Sequence, residues 1–102
     1  MERYGETKSL LCKTLPVVRR LLGESNEITV KLLWTYAEML YKDHSATFAD
    51  LREAVNTLED SARDTRRVYG KSHPFAKGFE YHLPKLRAAV AARETPPPHL
   101  VR

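Results

Sequence analysis

The sequence predicts an all-α protein of about four helices arranged as antiparallel hairpins. Strong helix formers dominate its 102 residues, which include only 4 glycines. Apolar side chains recur at helical spacing through most of the chain. Residues 3–32 and 50–79 also align without a gap at an offset of 47 residues. Gly23 recurs in this alignment as Gly70. A repeat of this length is typical of stacked helical units, which usually act by presenting a surface to a partner.

The first predicted helix covers about residues 4–22. One face carries the apolar side chains Leu11, Leu15, Val18 and Leu22, and the stripe is widened by Leu10, Val17 and Leu21. Pro16 lies inside the helix and predicts a kink, because proline has no backbone N–H. Gly23 predicts the end of the helix, because glycine readily adopts the left-handed conformation found there.

The second predicted helix covers about residues 26–41, with Ser25 as its N-cap. Its apolar side chains point in nearly every direction: Ile28, Val30, Leu32, Leu33, Trp34, Tyr36, Ala37, Met39 and Leu40. A helix of this kind normally lies between neighbours. It is therefore predicted to be the central helix of the chain.

Thr47 is predicted to cap a third helix, with Asp50 three residues later as in a capping box. Gly70 ends this helix as Gly23 ends the first.

The fourth helix follows, with Ser72 as the predicted N-cap and Pro74 in the first turn, where a missing N–H costs little. Its apolar stripe consists of Phe75, Phe79, Leu83, Leu86 and Val90.

The organisation predicted from these elements is a helical domain over residues 1–95 and a proline-rich tail over residues 96–102. The domain contains two repeated units. The first unit covers residues 3–23 and 24–41, and the second covers residues 47–70 and 71–94.

The repeat motifs resemble a known family. The run RYGETKSLLCKTLPVVRRLLG at residues 3–23 and the run DLREAVNTLEDSARDTRRVYG at residues 50–70 resemble the second helix of a kinesin light chain-type tetratricopeptide repeat (TPR). The turns LGESNEIT and YGKSHPFA are similar to the family's LGxxHPxT turn, and WTYAEML is similar to the core of its first helix. The combination also resembles TPR-like proteins that are abundant in microalgae. The resemblance implies a short right-handed solenoid fragment that binds proteins without catalysis.

The resemblance also implies a candidate binding face. The resemblance places paired asparagines of the family's concave groove where this chain has Trp34 and Thr35 in the first unit and Tyr81 and His82 in the second. The predicted partner-binding residues on this face are Lys31, Trp34, Thr35, Glu38, Lys77 and Tyr81. For Trp34, a core position between helices and an aromatic anchor in the groove are both open.

The sequence contains few residues arranged for chemistry. None of its four histidines has a second metal ligand at helical spacing, and the single cysteine, Cys12, permits no intrachain disulfide. No glycine-rich phosphate loop occurs. We therefore expect no enzyme activity, no cofactor and no metal site.

Three functions are consistent with these observations. The first is a scaffold or adaptor that binds a peptide or partner helix, with a preference for acidic sequences because the net charge is +4. The second is a structural helical subunit packed in a larger assembly or a longer repeat array. Nucleic-acid binding is the third, and it depends on the charge alone. The start of the chain has no apolar signal core, so we expect a cytoplasmic protein without membrane contact.

Overall fold

A computed structural model describes residues 4–94, which form four α-helices connected by short loops. The helices are α1 (Tyr4–Leu22), α2 (Glu27–Lys42), α3 (Phe48–Tyr69) and α4 (Pro74–Glu94). No strand occurs within residues 4–94. The all-α prediction is therefore confirmed. The predicted tail at residues 96–102 lies outside the described residues.

The first and third helices end in the same way, as the sequence repeat predicts. Gly23 has a φ of 92° and Gly70 a φ of 93°, both in the region that favours glycine. The N–H of Gly23 donates to the carbonyl of Arg19 at 2.9 Å, and the N–H of Gly70 donates to that of Arg66 at 2.9 Å. Each glycine thus satisfies a carbonyl of the last turn and directs the chain away from the helix axis.

Two of the three predicted N-caps lie one residue away from the observed ones. Thr47 caps α3 as predicted, accepting the N–H of Asp50 at 3.0 Å. The prediction of Ser25 is wrong, because α2 begins at Glu27 and the side chain of Asn26 accepts the N–H of Ile28 at 2.8 Å.

The prediction that Ser72 caps α4 is also wrong. The helix begins at Pro74, so His73 occupies the capping position, and its Nδ1 accepts the N–H of Phe75 at 3.1 Å. The physical reason is Pro74 itself, which disfavours helical geometry in the residue before it and is well suited to the first helical position.

The helix α2 is central, as predicted, because it packs against α1, α3 and α4. Its buried side consists of Thr29, Val30, Leu33, Tyr36, Ala37, Met39 and Leu40. Its opposite side is not covered, since Lys31, Thr35 and Glu38 are exposed. The apolar distribution in the sequence therefore overstates how much of α2 is enclosed.

The helices pack as a connected series in which α1 packs on α2, and α4 packs on both α2 and α3. Side chains link α1 to α3, with the Nζ of Lys8 2.7 Å from the Oδ2 of Asp50 near the starts of both helices. Between α2 and α4, Trp34 lies against Phe79. α4 runs back along α3, so Arg93 near its end donates to the carbonyl of Ala46 at 3.2 Å, just before α3 begins. The core between the helices contains the fully buried Phe79, Leu33, Leu40, Leu51, Leu58 and Leu86.

Candidate functional site

Trp34 lies in the contact between α2 and α4. Its ring centroid is 6.4 Å from that of Phe75, 6.0 Å from that of Phe79 and 6.0 Å from that of His82. The indole covers Gly78 so closely that a Cβ atom added at this glycine would overlap the six-membered ring. The structure thus places Trp34 at the edge of the core, where it sets the distance between the two helices.

The indole nitrogen of Trp34 is enclosed in this contact. Its Nε1 atom is buried and has no hydrogen-bond partner among the described residues. A buried tryptophan N–H usually has a partner. Because Nε1 is inaccessible, Trp34 cannot donate a hydrogen bond to a partner. Only the partly exposed ring could contact one.

The most exposed aromatic residue of this face is Tyr81 on α4, whose relative exposure is 60%. The Nζ of Lys85 lies 4.9 Å from the centre of its ring, a cation–π contact. Lys77 lies one turn before Tyr81, and Lys85 one turn after it, so all three share one side of the helix. We call Lys77, Tyr81 and Lys85 the α4 row.

The charges of the α4 row differ from those on α2. On α2, Lys31 pairs with Glu27 at 2.8 Å, and Glu38 pairs with Lys42 at 2.7 Å. The hydrogen bond from Lys42 holds the pKa of Glu38 below its ordinary value. Neither lysine of the α4 row forms an ion pair within residues 4–94. The α4 row therefore carries the positive charge that this face can offer to a partner.

His82 and Tyr41 close the gap between the two helices below Trp34. The hydroxyl of Tyr41 lies 3.2 Å from Nδ1 of His82, and their ring centroids are 6.1 Å apart. Burial lowers the pKa of His82, the nearby Lys85 lowers it further, and Glu38 opposes both. The histidine is therefore held neutral over a wider pH range than in an open chain.

The lowered pKa of His82 predicts a pH-dependent stability. Since the unfolded chain binds this proton more readily than the folded one, protonation favours unfolding. The melting temperature should therefore fall as the pH drops below about 6.5, the ordinary histidine value, and this part of the loss should end below the folded pKa. His82→Gln should flatten the melting temperature over this range, measured by circular dichroism. A slope that His82→Gln leaves unchanged would contradict the assignment to this histidine.

The six residues predicted for the binding face lie on two helices, α2 and α4, that pack against each other. Trp34 packs in the helix contact, while Lys31, Thr35 and Glu38 border it on α2. Lys77 and Tyr81 lie on the exposed side of α4. Lys85 and His82 are not among the six predicted residues. Lys85 follows Tyr81 by one turn, and this spacing could have indicated that it lies on the same side of the helix.

The other reactive or metal-binding side chains of the described residues make few contacts with one another. The only cysteine, Cys12, has its Sγ 3.9 Å from the hydroxyl of Tyr36, a long and weak contact. Burial raises the pKa of Tyr36 far above its ordinary value. Residues 4–94 contain no group of three or more histidine, cysteine or acidic side chains placed to hold a metal ion.

None of the four described helices is both long enough and apolar enough to cross a lipid bilayer.

Comparison with known proteins adds no relative to this picture. No protein-family model matches the chain, and neither a curated protein nor a solved structure matches it. The resemblance of its two repeat motifs to kinesin light chain-type TPR repeats therefore stays a prediction.

Proposed function

We propose that this chain is a non-catalytic protein–protein interaction module that binds an acidic peptide along α4. The observation that carries the proposal is the α4 row, in which an exposed tyrosine lies between two lysines without ion pairs in the described structure. An exposed tyrosine has a large contact area and loses little conformational entropy on binding. The two lysines would attract carboxylates on either side of it.

The neighbouring helix would form the second wall of this site. Lys31, Thr35 and Glu38 are exposed beside the contact that Trp34 makes with α4. Thr35 donates its hydroxyl hydrogen bond to the carbonyl of Lys31 at 3.1 Å, so its side chain is held in one orientation. Thr35 would therefore lose little conformational entropy when a peptide binds.

The proposal includes the TPR-like solenoid fragment and a cytoplasmic location. Two features support the solenoid: the repeated motifs, and the matching helix ends at Gly23 and Gly70. In such an arrangement α2 and α4 are equivalent first helices. They would line one continuous face, and this is the face that carries the candidate residues.

A peptide-display selection on the whole chain tests this function. We expect the selection to enrich acidic sequences. Tyr81→Ala should reduce the affinity for these peptides about tenfold, since truncating an aromatic anchor costs about 1 to 2 kcal/mol of binding free energy. Lys77→Ala combined with Lys85→Ala should weaken binding and reduce its salt dependence. Lys71→Ala, in the exposed loop before α4, is the matched control and should have no effect. A selection that enriches nothing, or peptides that bind Tyr81→Ala as well as the native chain, would refute the proposal.

The second candidate function is a structural helical subunit packed in a larger assembly. One observation on α1 favours it. Leu10, Val17 and Leu21 are exposed, whereas Leu11 and Leu15 of the same helix are buried in the core. Exposed apolar side chains in a contiguous patch usually mark a contact with another protein. Such a patch suits a permanent contact as well as a reversible one.

A further inference from the structure

A second candidate surface lies on α1, on the side that faces away from α3. Three of its residues are large, apolar and exposed: Leu10, Val17 and Leu21. The relative exposure of Leu10 is 64% and that of Leu21 is 74%. We call these three residues the end face.

Helical geometry places the end face opposite the neighbouring helices. Lys8 and Arg19 mark the side of α1 that faces α3, because Lys8 binds Asp50 and Arg19 lines the cleft between the two helices. Leu10 is two residues from Lys8, and Leu21 is two residues from Arg19. Two residues correspond to a rotation of about 200° around a helix, so the two leucines point away from α3.

The spacing on α1 matches a helix-binding seam. Leu10, Val17 and Leu21 are separated by seven and four residues, with Thr14 in between, which is the pattern by which one helix packs along another. The end face therefore suits a helical partner.

The charges beside the seam indicate the character of this partner. Lys13 and Arg20 lie one position before Thr14 and Leu21, so both follow one edge of the seam and both are exposed. Neither forms an ion pair within the described residues. Arg19, in contrast, pairs with Glu24 at 2.6 Å. The edge of the seam thus has positive charge available for a partner.

We propose that the end face binds an amphipathic helix of another protein that carries an apolar stripe with acidic flanks. Apolar contacts with Leu10, Val17 and Leu21 would provide the affinity, and Lys13 and Arg20 would select acidic flanks. A second copy of this chain is a poorer occupant, because pairing two copies of α1 would bring Lys13 and Arg20 close to their own equivalents. The proposal is independent of the α4 row.

Titration calorimetry with two synthetic helical peptides tests the proposal on the whole chain. Both peptides carry the same leucine stripe, one flanked by glutamates and the other by lysines. We expect the glutamate-flanked peptide to bind at least about tenfold more tightly. Lys13→Glu combined with Arg20→Glu should reverse this order. Leu10→Ser combined with Leu21→Ser should weaken the binding of both peptides by at least about a hundredfold, since burial of one leucine side chain contributes about tenfold or more.

Two controls keep the result specific. Val68→Ser removes an exposed apolar side chain of α3 and should change neither affinity. Lys77→Ala combined with Lys85→Ala changes the α4 row and should leave binding at the end face intact, which separates this site from the proposed function. Circular dichroism should show native helicity in each variant, because every changed side chain is exposed.

Three outcomes would overturn the proposal. The first is equal affinity for the two peptides, and the second is an order that the charge reversal does not change. The third is self-association of the free chain that Leu21→Ser abolishes, seen by sedimentation, since the occupant would then be a second copy.

Discussion

Replacing Phe79 by alanine is expected to lower the free energy of unfolding by about 3 to 5 kcal/mol, the usual range for a buried phenylalanine. Its side chain is fully buried at 0% relative exposure, belongs to the core cluster and contacts Trp34. Removing the ring would leave a cavity at the contact of α4 with α2. Domains of this size are stable by only about 5 to 15 kcal/mol, so the loss should be large in a urea titration followed by circular dichroism.

Tyr81→Ala is the matched control for this prediction. Tyr81 lies on the same helix, two residues after Phe79, and is mostly exposed. Its replacement should change the free energy of unfolding by no more than about 0.5 kcal/mol. Equal losses in the two variants would mean that the inward side of α4 has been assigned incorrectly.

Replacing Gly78 by alanine is expected to destabilise the fold by about 1 to 3 kcal/mol, as overpacking usually does. On helix propensity alone the change should be favourable by about 1 kcal/mol, because glycine is a poor helix former. The added methyl group, however, would overlap the ring of Trp34. That ring is held by Phe75 and Phe79, so it cannot move away without losing these contacts.

The sign of this effect should reverse when the indole is removed. In a Trp34→Ala background the space above Gly78 is open, so the same glycine-to-alanine change should stabilise the chain by about 1 kcal/mol through helix propensity. A double-mutant cycle from urea titrations measures the difference. Destabilisation of similar size in both backgrounds would show that the indole does not cover Gly78.

The ends of the helices were largely predictable from the sequence because local chemistry determines them. Gly23 and Gly70 end α1 and α3, and Thr47 caps α3, as the sequence predicts. The two errors, Ser25 and Ser72, are each one residue from the observed cap. At the start of α2, Asn26 lies directly after the serine and caps as well as serine does, so propensity does not choose between them. At the start of α4, Pro74 restricts the residue before it, so His73 takes the capping position.

The faces of the helices were harder to predict because they depend on distant residues. The sequence predicts a wide apolar stripe on α1, yet Leu11 and Leu15 are buried whereas Leu10 and Leu21 are exposed. Periodicity reports that a helix is apolar on two sides, but the neighbours decide which side is covered. In α1 the covered side is set by contacts with α2 and α3.

The role of Trp34 shows the same limit. Both a core and a groove position agree with its place in the helical pattern. The choice is made by Gly78, a residue of another helix, which leaves room for the indole. Helical spacing was sufficient to predict that Lys77 and Tyr81 share one side of α4. The same spacing would also have placed Lys85 on that side.

The most direct test of the proposed function is chemical-shift mapping of the ¹⁵N-labelled chain with an acidic peptide obtained by selection. We expect the largest chemical-shift changes at Lys77, Tyr81 and Lys85. Smaller changes should occur at Lys31, Thr35 and Glu38, on the neighbouring helix α2. Residues of the end face should not respond to this peptide. Shifts concentrated on Leu10, Val17 and Leu21, or the absence of any saturable shift, would contradict binding along α4.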